Sequence, residues 1–330
     1  MIAEEVPNWQ QQQANAITNL NELLSVLQLT LEDLPRALQA SEQFPVRVPR
    51  SFVARMEVGN AHDPLLRQVL ASGAEMEVVP GYTQDPLEEA VHTPVPGILH
   101  KYHGRVLFVI TGACAVHCRY CFRRHFPYQE YMPTQERFAA ALAWLGQQED
   151  VHEVILSGGD PLSLSDRKLA GLVHALADIP HLRRLRIHSR NPVVIPERLT
   201  QPLEQLLGHS RWQSVLVLHV NHANEITQTL AERVSGLRRA GVTVLNQAVL
   251  LAGVNDTVAA QEALANRLFA AGVLPYYLHQ LDKVAGAAHF VVPDEQAAAL
   301  MHALRGRLPG FLVPRLVREE AGDHSKTPVC

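Results

Sequence analysis

The sequence predicts an α/β fold, a partial (β/α)6 barrel with an N-terminal helical extension and a C-terminal tail. Three observations predict it. From Arg105 onward, apolar runs of strand length alternate with helix-length segments, as strand–helix units around a parallel sheet require. Six such units are visible, where a closed barrel of this kind has about eight, so the barrel is expected to be open. The last segment, FLVPRLVREEAGDHSKTPVC, begins like one more strand and ends in a polar loop.

The elements follow in chain order. Residues 1–95 form the N-terminal extension and connector, with an amide-rich helical pattern (NAITNLNELLSVLQL), a Pro-punctuated stretch (SEQFPVRVPRSF) and a short helix near DPLLRQVLAS. Residues 96–310 carry the barrel, with strands expected at RVLFVIT, EVILSG, RLRIHS, SVLVLHV, TVLNQAVLL and VLPYYLHQL. Between them, PTQERFAAALAWL opens on Pro and Thr, and SLSDRKLAGLVHAL has Ser and Asp as start signals with apolar positions at helical spacing. Residues 311–330 form the terminal strand and tail. No repeat is present, and no low-complexity tract beyond a short Gln run.

At 330 residues the chain has length for one large domain with an added segment. Hydrophobic residues make up 47% and charged residues 19%, an ordinary globular balance. The N-terminus has neither the basic start nor the apolar core of a signal peptide, so a cytoplasmic location is expected. No run approaches the roughly 18 apolar residues of a spanning helix, and no membrane partner is expected. A formal net charge of -4 argues against nonspecific polyanion binding, and so against a nucleic-acid partner.

The chemistry is concentrated in TGACAVHCRYCFRRHFPY, where Cys114, Cys118 and Cys121 fall directly after the first barrel strand. A lone CxxC pair suits zinc or redox chemistry. A structural zinc site wants four ligands, usually as two pairs; His117 lies between the cysteines, but no second CxxC exists and the remaining cysteine is the terminal Cys330. Iron–sulfur cubanes normally take four thiolates. With three, one iron stays open to a small molecule, and the C-x3-C-x2-C spacing lets one loop wrap three corners at a strand end, where barrel active sites are built.

With SGGDPL at the end of the second strand, this motif resembles the radical S-adenosylmethionine (SAM) enzymes. The resemblance implies a 4Fe-4S cluster on Cys114, Cys118 and Cys121, SAM chelating the open iron, an external electron donor, and a 5'-deoxyadenosyl radical; the radical is the cofactor's chemistry, which the protein orients and shields. It also places Gly158, Gly159 and Asp160 at the SAM amino group. Over residues 85–328 the likeness narrows. DPLEEAVHTPVPGILHKYHGRVLFVITGACAVHCRYCFRRHF, RNPVVIP, NQAVLLAGVND and PYYLHQLD resemble lysine 2,3-aminomutases. They are closest to the shorter branch that forms (R)-β-lysine for the ligase modifying elongation factor P. That family also uses pyridoxal 5'-phosphate (PLP).

A PLP enzyme needs a Schiff-base lysine, and the chain has four: Lys101, Lys168, Lys283 and Lys326. Lys168 lies in a capped amphipathic helix; Lys101 and Lys283 are chemically conceivable. The resemblance puts the PLP lysine at Lys326, in HSKTP, on a tail that closes the barrel mouth. It puts the PLP phosphate at Lys101 and Arg105, with Tyr102 flanking the ring. Lys101 replaces an arginine of the longer aminomutases, exchanging a fork for a point charge.

For the substrate L-lysine, the resemblance matches Arg123 to the arginine that grips the carboxylate. It matches Asp282 to a carboxylate on the ε-ammonium. Glu319 stands where the longer enzymes have a second Asp. His219, Asn221, His222, Asn246 and Gln247 lie at strand ends; His219 and Gln247 are taken as cofactor contacts, with hydrogen-bonding support the alternative. The longer enzymes' extra cysteine-bound zinc site has no counterpart here. Two other readings stay open: a radical SAM enzyme for another amine, and a zinc-stabilised binding module using His117 and the cysteines.

Overall fold

The computed structural model describes residues 8–329, apart from Asp33, Pro35 and Pro133; Cys330 and the first seven residues lie outside the described residues. Nine strands form one sheet in chain order: β1 (Ile98–Tyr102), β2 (Arg105–Thr111), β3 (Glu153–Gly158), β4 (Arg184–Ser189), β5 (Gln213–His219), β6 (Thr243–Val249), β7 (Leu274–His279), β8 (Arg315–Arg318) and β9 (Thr327–Pro328). The pairs from β2 to β8 are all parallel, whereas β1 and β9 lie antiparallel on the two edges. The six expected units are therefore joined by β8, the strand anticipated in the final segment.

Each crossover from β2 to β8 contains a helix, and the longer ones are Gln135–Gly146, Asp166–Ala177, Gln228–Arg239, Val258–Ala270 and Asp294–Arg305. Thr134, Ser165, Thr227 and Thr257 cap the first four, each accepting a backbone N–H that the helix start leaves unpaired. The helices pack on the outer face of the sheet, where Leu156, Ile187, Leu218, Val244, Leu278 and Leu316 join one core with Leu169, Leu230, Leu264 and Leu300. Burying each such side chain is worth about 1.5–3 kcal/mol. Because side chains alternate along a strand, the intervening residues point into the barrel. At the strand starts this inner face is plugged by Glu153, paired with Arg184 (3.3 Å) and Arg186.

No backbone pairing links β1 to β9 among the described residues. Side chains bridge that seam instead. Lys101 Nζ on β1 donates to the Glu320 carbonyl (2.7 Å), and Tyr102 Oη donates to Glu319 Oε1 (2.9 Å). The sheet is therefore curved enough to bring its first strand to the segment after β8.

The N-terminal segment has short helices at Trp9–Ala14, Leu20–Val26, Ala37–Gln43 and Arg50–Val53. The helix expected near DPLLRQVLAS is only a single 3-10 turn, Leu66–Gln68; Asp63 caps its entry through Leu65 N and Leu66 N. This segment has its own core, including Leu23, Phe52 and Leu65, into which Ala115 and Val116 of the cysteine loop are packed. No helix among the described residues is long and apolar enough to cross a membrane.

Candidate active site

The strands deliver their functional side chains at their C-terminal ends. Beyond β2, the cysteine loop is clamped from outside by the N-terminal segment. Buried Arg119 forms a fork with Glu75 (2.8 and 2.6 Å), and Arg124 reaches the same carboxylate at 2.7 Å. Both guanidiniums lie over the Phe44 ring. Backbone bonds from His117 N to Arg47 O and from Arg119 N to Gln68 O, each 2.9 Å, complete the clamp.

Cys114, Cys118 and Cys121 are free thiols. Burial pushes the Cys121 thiol up to about 12, with Cys118 adding to the effect. Burial, then Asp160 and the other two sulfurs, push Cys114 up as well. Cys114 and Cys121, both disfavoured as thiolates, need a cationic centre to be held in that form. A cluster's iron supplies it. Arg190 Nη1 offers one donor, to Cys118 Sγ at 2.8 Å. Among the described residues no three His, Cys, Asp or Glu side chains converge on one metal ion. The cubane fits the three sulfurs, because each cysteine serves a different iron. His117 is directed elsewhere, with Nδ1 on the Pro45 carbonyl (2.8 Å) and its ring stacked on Phe44.

Gly158 and Gly159 have a structural reason of their own. Gly158 has φ +125°, and a Cβ there would lie 2.4 Å from Thr111 O; at Gly159 it would lie 2.5 Å from Ala113 O. The end of β3 thus runs directly against the root of the cysteine loop, closer than any side chain permits. Asp160, read from the sequence as a SAM contact, spends its carboxylate on Leu162 N (3.0 Å), Ser189 Oγ (2.6 Å), Arg190 N (2.7 Å) and Asn191 N (2.8 Å). It ties the ends of β3 and β4 together.

At the seam, the tail turns back through β9 and brings Lys326 onto Glu319 as an ion pair; the Lys326 side chain is only 23% exposed, unlike a solvated tail residue. Its ammonium also lies 5.8 Å from the Tyr277 ring centre. Burial opposes ionisation of Glu319, but Lys326 and Tyr102 outweigh it and hold the carboxyl down at about 2. Lys101 stands 3.8 Å from Glu319, and the Arg105 guanidinium lies 4.6 Å from the Tyr102 ring centre. Lys101, Tyr102, Arg105, Glu319 and Lys326 therefore form one group. Asp282 joins it electrostatically: burial and the Glu319 charge push its carboxyl up to about 7, against Lys326.

Arg123 is buried. Nη2 and Nε meet Glu89 at 2.5 and 2.8 Å, and Nη1 reaches Ser157 Oγ (3.1 Å) and Gly158 O (3.2 Å). Burial opposes its charge and Glu89 more than restores it. On the inner wall, His219 and Gln247 meet through Nε2 atoms at 2.9 Å; burial, then Arg190, lower the imidazole to about 4. Asn246 bonds both polar groups of the Val220 backbone, and Asn221 binds Tyr120 Oη, Gln68 Oε1 and Val249 N. His222 caps the turn Ala223–Glu225. These three support strand ends.

Several contributors escaped the sequence reading. Arg190 links Cys118, Tyr120 (2.6 Å), Gln68 (2.7 Å) and Glu225 (3.2 Å). Glu89, His188 and His279 were also missed. RIHS and YYLHQLD each carry a histidine at or next to a strand end, a signal that was available; Glu89 and Gln68 lie in the N-terminal segment, outside any strand.

Residues 108–259 match the Radical SAM superfamily. The chain is 50% identical to the L-lysine 2,3-aminomutase of Escherichia coli (strain K12) over 323 residues, 98% of this chain and 94% of that protein. It is 46% identical to the Haemophilus influenzae enzyme of the same name, over 99% of this chain and 96% of that one. Against the Clostridium subterminale L-lysine 2,3-aminomutase the identity is 36%, over 98% of this chain and 77% of that protein. On this near full-length similarity, together with its three-cysteine loop at the end of β2, the chain belongs to the L-lysine 2,3-aminomutase family of radical SAM enzymes.

Proposed function

We propose that this chain moves the 2-amino group of L-lysine to C3, forming β-lysine. The observation that carries this reading is the seat of the Lys326 ammonium, on Glu319 and in the field of Asp282. A lysine ε-ammonium already occupies the acidic end of the barrel mouth. When bound, SAM at the cluster supplies a carbon-centred radical, and PLP supplies the carbonyl carbon that holds the migrating nitrogen.

The residues then divide the work. Cys114, Cys118 and Cys121 would hold the cluster, and the strand end at Gly158 and Gly159, packed against the root of their loop, would present backbone to SAM. Lys326 provides the amine that anchors PLP; Lys101 and Arg105 provide cations for its phosphate beside Tyr102. Arg123 takes the lysine carboxylate. Asp282 and Glu319 would take the ε-ammonium. His219 and Gln247 line the cofactor side of the barrel.

We infer further that the product is (R)-β-lysine, passed in the cytoplasm to the ligase that modifies elongation factor P, with the cluster reduced by an external electron donor. The identities support this branch, 50% to the Escherichia coli relative against 36% to the clostridial one. The test is product analysis. Anaerobically reconstituted protein with SAM, PLP, dithionite and L-lysine should yield β-lysine of one hand on chiral chromatography, and L-glutamate should not replace lysine. Turnover of L-glutamate at a similar rate would overturn the role of the two acids.

A further inference from the structure

The inner wall of the barrel holds two imidazoles whose Nε2 atoms lack a hydrogen-bond partner among the described residues. His188 is the penultimate residue of β4 and His279 ends β7, each flanked in its strand by a residue of the outer core, Ile187 and Leu278. Both therefore point inward, at the same end of the barrel as His219 and Gln247. The His188 ring meets the His219 ring edge-on at 6.0 Å, and the His279 ring meets Tyr277 edge-on at 5.5 Å. These contacts fix the rings but satisfy no nitrogen. The Nε2 atoms of both His188 and His279 are buried and have no hydrogen-bond partner among the described residues.

Such atoms are uncommon, since a buried polar group left unpaired forfeits its water without return. Their neighbour His219 shows the contrast, because Gln247 completes it. Two unpaired nitrogens on one wall call for a ligand with polar atoms of its own. The surroundings say which. Both imidazoles lie in the field of the Lys326 ammonium, and His279 also in that of Glu319. Burial keeps both rings neutral, so each can offer a donor or an acceptor according to its tautomer.

We propose that His188 and His279 are PLP-binding residues whose free Nε2 atoms meet polar atoms of the cofactor held by Lys326. The inference rests on the reading that Lys326 anchors PLP.

The test measures PLP capture and not turnover. Cluster-reconstituted protein is stripped of PLP with hydroxylamine, titrated with PLP, reduced with borohydride, and read by the fluorescence of the fixed pyridoxyl group. His188→Leu and His279→Leu should each raise the PLP concentration for half-maximal fixation by about tenfold, the worth of one buried hydrogen bond. His188→Gln and His279→Gln, which keep a polar nitrogen, should recover most of that loss, and iron content should match the parent in all four. Leu variants that capture PLP at the parent concentration would overturn the inference, as would Gln variants as weak as the Leu variants. The underlying reading fails separately, if the parent fixes no PLP or Lys326→Ala fixes as much as the parent.

Discussion

Glu89 holds Arg123 by both carboxylate oxygens, at 2.5 and 2.8 Å. With Ser157 Oγ and Gly158 O on Nη1, four of the guanidinium's N–H donors are engaged, out of about five that the group carries. A substrate carboxylate must therefore share or replace Glu89. Glu89→Gln should lower KM for lysine, because it weakens the competing anion while keeping a polar side chain against the fork. Arg123→Lys, which loses the fork, should raise KM by about tenfold or more. Steady-state kinetics check both, and an unchanged KM in Arg123→Lys would remove that residue from substrate binding.

Asp282 carries a pH signature. Its carboxyl is pushed up to about 7 by burial and by Glu319, and it has no hydrogen-bond or ion-pair partner among the described residues. Below that pH the group is largely neutral and attracts an ammonium weakly; above it the charge is present. KM for lysine should therefore fall as pH rises through about 7. Asp282→Asn should abolish that dependence and weaken lysine by about 1.5–3 kcal/mol, the worth of a charge-assisted contact. In Glu319→Gln the inflection should move to lower pH, since one of the causes of the upward shift is gone. A parental KM that is flat across this range would exclude Asp282 from the ammonium site.

Gly159 faces the cysteine loop with no room for a methyl group, its Cβ position falling 2.5 Å from Ala113 O and 2.7 Å from Gly112 C. Gly159→Ala should push the two backbones apart and spoil the spacing of the sulfurs. Iron per chain after reconstitution should fall well below the parent value. Gly171→Ala, at a position with open space around it, serves as the control and should keep its iron.

Glu75 is the shared counter-ion of two buried arginines, Arg119 and Arg124, both within 2.7 Å. Glu75→Gln removes one partner of a buried pair, a change that costs about 3–5 kcal/mol. Denaturant unfolding should show a loss of that order, and the cluster should be lost at lower denaturant than in the parent. An unfolding midpoint at the parent value would mean that the N-terminal clamp contributes little to the cysteine loop.

How far a sequence discloses such a site depends on the distance over which its residues act. The strands from RVLFVIT to VLPYYLHQL, and the caps at Thr134 and Ser165, follow from local period and local hydrogen bonding, so they could be read directly. The three cysteines could be read because one cluster dictates their spacing. Lys326 could be reached only through family resemblance, for nothing in HSKTP says that the tail turns back along β8 to Glu319. The four donors around the Asp160 carboxylate come from its own and the next strand end, a meeting that nothing local in SGGDPL announces. Glu89 and Glu75 were passed over because their partners lie 34 or more positions away, and only the closed fold brings them together.

The most direct measurement follows nitrogen from substrate to product with the tail lysine present and absent. Reconstituted protein, reduced anaerobically with SAM and PLP, is given L-lysine labelled with 15N at the α-amino group, alongside the Lys326→Ala variant. The parent should form β-lysine carrying the 15N on C3, while the variant keeps its iron, still cleaves SAM slowly and forms no β-lysine. β-Lysine formed by Lys326→Ala near the parent rate, or no rearranged lysine from a parent that holds both cluster and PLP, would contradict the assignment.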